Sequence, residues 1–370
     1  MIKKSIRLFM KFTGFLFPPS PIADKPGKIL LLMCHWIGDT FWAMQIIPAV
    51  KKQYPDAEIF VGIKSFSKDL FYNLIPDTNI IILDSVVSDR KRERFSIIRL
   101  FRQTLRIRKY KFDLCFDLTS NVFSILFLKL AGIKCIAGGG NDDFSNAYSI
   151  HLSNDALKNR HLSLKPWLIV SEIYQDFQIP EKLFPIQTDS TSKLLQSSAV
   201  IVPGAGWSTK KIPLGILEAV LEYLFEADFQ VYFAVKEKEV DDFSGLYEKY
   251  PDINIFKKTL HELFALLTKT DIYIGGDTGI THIAAAFDIP VLAIYCPSNP
   301  VYSFPKGKNV RLLRPACPIM DNASTEQCLN SFKEKCPRTE WMNINPVELT
   351  ENLDLLISSN SRVMDLSGKM

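Results

Sequence analysis

The chain has 370 residues, 47% of them hydrophobic and 23% charged, with a formal net charge of +4. That length and apolar content support about two domains with proper cores, and exclude a disordered chain, a disulfide scaffold and a collagen-like fold. The charge is uneven: residues 1–28 sum to +5 and residues 90–111 to +9, so the rest of the chain is acidic. An excess confined to the amino-terminal part points to an anionic surface or partner there.

The opening stretch MIKKSIRLFMKFTGFLF predicts a basic amphipathic helix. At about 100° per residue, Ile2, Ile6, Phe9, Met10, Phe12, Leu16 and Phe17 share one arc, with Lys3, Lys4, Arg7 and Lys11 opposite. Such a helix suits the plane of an anionic membrane surface, and the alternative is packing on the domain's own surface. No small-residue cleavage site follows, so this is not a signal peptide, and no apolar run reaches the ~20 residues of a membrane span. Pro18, Pro19, Pro21, Pro26 and Gly27 then make a linker.

From residue 28 the grammar is strand, loop, helix, strand. Residues 28–34 (KILLLMC) are a continuous apolar run, as expected of a buried parallel strand. The loop 35–39 follows, then a helix over 40–54, strands at 57–63 and 80–83, a basic helix over 95–109 and a strand at 114–117. The pattern restarts near 199. Strands are expected at 199–202, 230–235, 272–274 and 291–294, with helices at 214–227, 260–269, 279–287 and 346–358. This describes two doubly wound α/β halves joined somewhere in 175–195. Seven scattered cysteines read as reduced thiols of a cytoplasmic protein. Three of them, Cys317, Cys328 and Cys336, have no metal-site spacing.

Three segments carry chemistry. The first is Gly275-Gly-Asp-Thr-Gly-Ile-Thr-His282, a strand end running into a helix. Asp277 and Thr278 fall at the N-cap, where their oxygens can accept from helix N–H groups. The helix start at Gly279 favours a phosphate, and His282 can add a donor one turn in. The second is Pro203-Gly-Ala-Gly-Trp-Ser-Thr-Lys-Lys-Ile-Pro213. Gly204 allows close backbone approach, Ser208 and Thr209 are donors, and Lys210 and Lys211 are cations, equipment for a departing diphosphate. It matches neither a dinucleotide fingerprint nor a P-loop. The third is His35-Trp-Ile-Gly-Asp39, where a carboxylate at a strand's carboxyl end can take a proton from an acceptor hydroxyl. By itself Gly38-Asp39 also fits a turn with an N-cap. The basic stretch 90–111 lacks nucleic-acid motifs, so an anionic glycolipid core or a lipid surface suits its arginines better.

Together these segments resemble the ADP-heptose:lipopolysaccharide heptosyltransferase family, glycosyltransferase family 9. The matching residues are Ile37-Gly38-Asp39…Ile47-Pro48-Ala49, Pro203-Gly204-Ala205…Lys210-Lys211-Ile212-Pro213 and Asp277-Thr278-Gly279-x-x-His282-x-Ala284-Ala285, in the family's order. The resemblance implies a GT-B fold of class α/β, two Rossmann-like doubly wound domains facing a central cleft. It implies an inverting, metal-independent transfer of a heptose or similar sugar from a nucleotide-diphosphate donor, ADP-heptose, to a lipopolysaccharide core or lipid A-linked acceptor. Asp39 is then the general base, and His35 and Gly38 lie at the acceptor. Lys210 meets the donor phosphates, with Gly204, Ser208, Thr209, Lys211, Asp277, Thr278, Gly279 and His282 around them. A family Glu at the nucleoside corresponds to Glu239, with Glu237 as the alternative. No cofactor or metal is called for. The implied domains are 1–27 for membrane association and linker, 28–185 for the acceptor, 186–345 for the donor, and 346–370 as terminal helix and tail. The implied location is cytoplasmic, peripheral on the inner face of the bacterial inner membrane, through residues 1–17. The chain departs from the family's Lys-Arg-Trp-Pro at Lys210-Lys211-Ile212-Pro213 and from its Gly-x-x-Gly-Asp at His35. The competing functions are a nucleotide-sugar epimerase of the same architecture and a non-catalytic glycolipid-binding member.

Overall fold

The computed structural model describes residues 18–84, 97–139, 142–174, 178–188, 194, 196–206, 210–295, 298–315 and 344–359. The expectations for residues 1–17, for Ser208 and Thr209, and for Cys317, Cys328 and Cys336 lie outside these. The described residues fall into two compact units, divided between Glu181 and Lys182.

The first unit holds β1 (Lys28–Met33), α1 (Ile37–Met44), α2 (Ile47–Gln53), β2 (Glu58–Ile63), β3 (Ile80–Ile82), α3 (Ile97–Arg108) and β4 (Leu114–Asp117). It continues with α4 (Val122–Leu130), β5 (Ile136–Gly139), β6 (Ile150–Leu152), α5 (Asn154–Leu157) and α6 (Lys165–Ser171). Its strands form a parallel sheet in the order β3-β2-β1-β4-β5-β6. Residues 40–54, expected as one helix, form parts of two. Pro48 is the cause: it lacks an N–H and its ring crowds the carbonyl of Met44, so α1 stops and α2 restarts with the proline in its first turn. Leu30, Leu32, Phe60, Ile81, Ile107 and Phe127 pack in one core cluster. Each such side chain contributes about 1.5–3 kcal/mol of burial free energy.

The second unit holds β7 (Ser198–Val202), α7 (Leu214–Glu226), β8 (Gln230–Ala234), α8 (Ser244–Lys249), β9 (Asn254–Phe256), α9 (Leu260–Leu267) and β10 (Ile272–Gly276). It ends with α10 (Gly279–Ala286), β11 (Val291–Ile294), α11 (Pro300–Ser303), β12 (Val310–Leu313) and α12 (Pro346–Ser358). Its sheet runs β12-β11-β10-β7-β8-β9, the same winding as the first. Leu349, Leu353 and Leu356 of α12 join the core with Leu217 and Val220 of α7 and Leu313 of β12, so the terminal helix is part of this unit. Glu262 and Thr259 close a capping box at the start of α9, a device that stabilises a helix by about 1 kcal/mol.

In each sheet the winding reverses once, between β1 and β4 and between β7 and β10. Loops leaving the carboxyl ends on either side of such a reversal diverge, and ligands bind in the crevice they leave. The three chemical segments lie at these two positions.

Candidate functional site

In the second unit, the loops after β7 and β10 meet. A Cβ on Gly276 would lie 3.1 Å from the carbonyl oxygen of Lys210, so the glycine lets the two loops close on each other. Across this contact the Lys210 ammonium donates to Oδ2 of Asp277. His282 Nε2, one turn into α10, lies 3.6 Å from Oδ1 of the same carboxylate. Burial pushes the Asp277 carboxyl up, but the Lys210 charge and the His282 hydrogen bond outweigh it and hold it well below the usual carboxylate range. Asp277 therefore stays ionised and fixes two donors at the mouth of α10. Tyr295, not singled out in the sequence, is buried behind them, and its hydroxyl donates to the carbonyl of Ser303 at 2.6 Å.

The helix cap differs from expectation. Thr278 is the N-cap residue, but no side chain bonds a backbone N–H at this helix start. Its hydroxyl lies 3.2 Å from that of Thr281, which donates to the carbonyl of Gly276 at 2.5 Å. Asp277 is taken up by Lys210 and His282 instead. A charge-assisted bond to an ammonium is stronger than a bond to a neutral amide, so the carboxylate turns outward to the cation. The first N–H groups of α10 are thus left without a side-chain cap, as an anion site at a helix start requires.

Two other assignments separate. Lys211 donates to Asp242 Oδ2 at 2.7 Å and does not join Lys210 at Asp277. Glu239 is only 14% exposed, and a Cβ on Gly204 would meet its Oε2 at 3.0 Å. Glu237 is 77% exposed and pairs with Lys257 at 3.0 Å. Glu239 is therefore the glutamate folded over the β7 loop.

In the first unit, Asp39 sits half-buried in the first turn of α1, with Gly38 buried before it. The turn after β4 clasps the end of β1 and the short loop that leads into this helix. Leu118 and Thr119 N–H groups donate to the carbonyl of Leu32, and the Cys34 N–H donates to Thr119 Oγ1 at 2.9 Å. His35 Nε2 lies 3.1 Å from the Leu118 carbonyl, so one ring nitrogen is engaged by the backbone. Burial pushes the Cys34 thiol up to about 12, which leaves it without nucleophilic character.

Two residues missed in the sequence stand behind this loop. Asp117, the last residue of β4, is fully buried. It accepts from the Ser120 N–H at 2.9 Å, Ser124 Oγ at 2.8 Å and Tyr148 Oη at 2.9 Å. Burial nonetheless raises its pKa above the ordinary value. Lys165, the first residue of α6, is the cation coupled to both Asp117 and Asp39; burial lowers its pKa and the two carboxylates oppose that. Neither residue lies in a recognisable motif, and a carboxylate ending an apolar strand was the one available signal.

The Asp117 shift has a testable sign. A carboxyl with a raised folded pKa stabilises most below the unfolded value of about 3.9, and that contribution is lost as pH rises through the folded pKa. Asn at 117 does not titrate. The stability of the native protein relative to Asp117→Asn is therefore expected to fall as pH is raised from about 4. Urea unfolding of both proteins across that range measures it, and a pH-independent difference would remove the titration from this site.

The sequence profile of glycosyltransferase family 9 (heptosyltransferase) matches residues 98–341. The chain belongs to this family. As a family 9 member it is a glycosyltransferase. It is 23% identical over 323 residues to lipooligosaccharide heptosyltransferase 2 of Campylobacter jejuni, an alignment covering 84% of this chain and 91% of that one. It is 22% identical over 318 residues to lipopolysaccharide heptosyltransferase 2 of Salmonella typhimurium, covering 78% and 88%. Among solved structures, the Escherichia coli ADP-heptose lipopolysaccharide heptosyltransferase II superposes with a TM-score of 0.68 at 18% identity, covering 89% of this chain and 98% of that one. A family 9 glycosyltransferase from Veillonella parvula gives 0.71 at 16% identity, covering 91% and 98%. This likeness shows the fold of the family 9 chain: α/β, of GT-B type, with two Rossmann-like doubly wound domains.

Proposed function

We propose that this glycosyltransferase moves a heptose from a nucleotide-diphosphate sugar, ADP-heptose, to a hydroxyl of a lipopolysaccharide-core acceptor. The observation that carries the reading is the joining of Lys210, Asp277 and His282 at the uncapped start of α10, beside a family 9 match. An ammonium has three N–H donors, so the Lys210 charge that holds Asp277 can also face phosphate oxygens. The departing nucleotide diphosphate then leaves onto Lys210, His282 and the α10 backbone N–H groups, which stabilise its charge as it develops. Glu239, folded over Gly204, faces the nucleoside.

Asp39 acts on the other reactant. It accepts the proton from the acceptor hydroxyl as oxygen attacks the anomeric carbon opposite the leaving diphosphate, which inverts that centre. Lys165 is the cation coupled to this carboxylate. His35 and Gly38 shape the acceptor side of this loop, with Gly38 too small to block approach. Residues 1–17 place the enzyme on the inner face of the membrane that holds a lipid-linked acceptor. Among the described residues no helix is long and apolar enough to cross a membrane.

The donor is tested by release of nucleotide diphosphate from ADP-heptose and from UDP-sugars, with a deacylated lipopolysaccharide core as acceptor. ADP-heptose is expected to be consumed only when acceptor is present. Turnover of UDP-sugars alone, or consumption without acceptor that yields an epimerised sugar, would overturn the reading.

A further inference from the structure

The outer face of α3 is not explained by donor or acceptor chemistry. Its inner face is ordinary: Leu100, Thr104 and Ile107 are buried against the sheet and α4. On the outside, Ile98 is 73% exposed, Phe101 62% and Leu105 44%. Spaced at i, i+3 and i+7, these three form one continuous apolar stripe along the helix. Arg102 and Arg106 border it on one side and Arg108 on the other, at about 100° per residue. The helix contains no acidic residue. None of these three guanidinium groups is bonded to a carboxylate among the described residues.

A solvated helix face would carry polar residues between its cations, and a folded domain gains nothing by exposing Ile, Phe and Leu together. A second copy of the chain fits the stripe poorly, because the flanking arginines would meet arginines. A nucleic acid would satisfy the arginines but leave the apolar stripe against phosphates. An anionic lipid surface satisfies both parts: guanidinium groups bind headgroup phosphates while the apolar side chains enter the acyl boundary.

We infer that α3 is a membrane-contact helix that lies in the plane of an anionic bilayer, with Ile98, Phe101 and Leu105 inserted and Arg102, Arg106 and Arg108 on the headgroups. The contact stands apart from any made by residues 1–17 and from the identity of the donor. Topology gives it a use. The chain leaves α3 for the amino edge of the sheet, where the Asp113 N–H donates to the carbonyl of Lys28. The first turn of α3 therefore lies toward the carboxyl edge, the edge that carries Asp39. A lipid-linked acceptor held in the bilayer would meet Asp39 from that side.

The test is co-sedimentation of the full chain with vesicles of phosphatidylcholine alone and of equimolar phosphatidylcholine and phosphatidylglycerol. The native protein is expected to partition onto the anionic vesicles. Phe101→Ser with Leu105→Ser should lower that partitioning by about tenfold or more, since two apolar side chains lose their burial. Arg102→Glu with Arg106→Glu should remove the preference for phosphatidylglycerol. Unchanged thermal midpoints in both variants show that the fold is kept, as expected for exposed positions. Partitioning that survives both pairs but is lost in Phe9→Ser with Phe12→Ser would overturn the inference and leave residues 1–17 as the sole anchor. Absence of vesicle binding by the native protein would overturn it as well. So would concentration-dependent dimerisation abolished by Phe101→Ser, which would assign the stripe to a second copy.

Discussion

Asp39→Asn should cut turnover by about 10²–10⁴-fold while leaving donor affinity nearly intact. The amide is the same size and keeps the first turn of α1, so Gly38 and His35 hold their places. It lacks only the basicity needed to take the acceptor proton. Single-turnover rates with ADP-heptose and a core acceptor, beside donor binding by calorimetry, separate the two effects. Turnover at the native rate would take Asp39 out of the reaction. A parallel loss of donor affinity would mean that the loop after β1 had lost its shape.

The second large effect is expected at the Lys210–Asp277 pair. Lys210→Ala should weaken donor binding and lower the rate by about 10²–10³-fold, because the lost ammonium meets developing charge on the leaving diphosphate. It also leaves Asp277 buried without its cation. Breaking a buried pair from one side costs about 3–5 kcal/mol, and less here because the Lys210 side chain keeps some contact with water. Urea unfolding must therefore accompany the kinetics. Asp277→Asn separates the roles, since it removes the buried charge and leaves the Lys210 ammonium in place. It should loosen donor binding less than Lys210→Ala. Asp277 has a depressed folded pKa, so its stabilisation is present above the unfolded value of about 3.9 and is lost as pH falls. Asp277→Asn should accordingly lack the acid-side loss of stability that the native protein shows below about pH 4. Native kinetics in Lys210→Ala would exclude the lysine from the donor site.

Much of the architecture was legible along the chain. The runs KILLLMC and AVIV predict buried parallel strands because parallel strands are covered on both faces. The segment GGDTGITH marks a strand running into a helix because two glycines and a polar turn can do little else there. The region 118–174 was not legible. The helix Val122–Leu130 is buried nearly all round, so no amphipathic period betrays it. The strand Ile136–Gly139 ends in glycines because a Cβ on Gly139 would sit 2.2 Å from the Leu152 carbonyl, a clash visible only once β6 is beside it. The two helices Ile37–Met44 and Ile47–Gln53 had their signal in Pro48, and the hydrophobic spacing across it masked the break.

The sequence by itself determined the fold class, the two-part organisation, the family and the three segments proposed to carry the chemistry. These follow from local pattern, which is set by burial period and turn chemistry. Only the tertiary structure decided which of two adjacent lysines holds Asp277, and which of Glu237 and Glu239 folds over Gly204. It also brought out Asp117 and Lys165 behind Asp39 and left the Ile98, Phe101 and Leu105 stripe of α3 uncovered. The reason is the same in each case. Neighbours in sequence point different ways over a turn, and the partner that selects one of them comes from a strand or helix 30 to 70 or more residues away, as Asp277 does for Lys210.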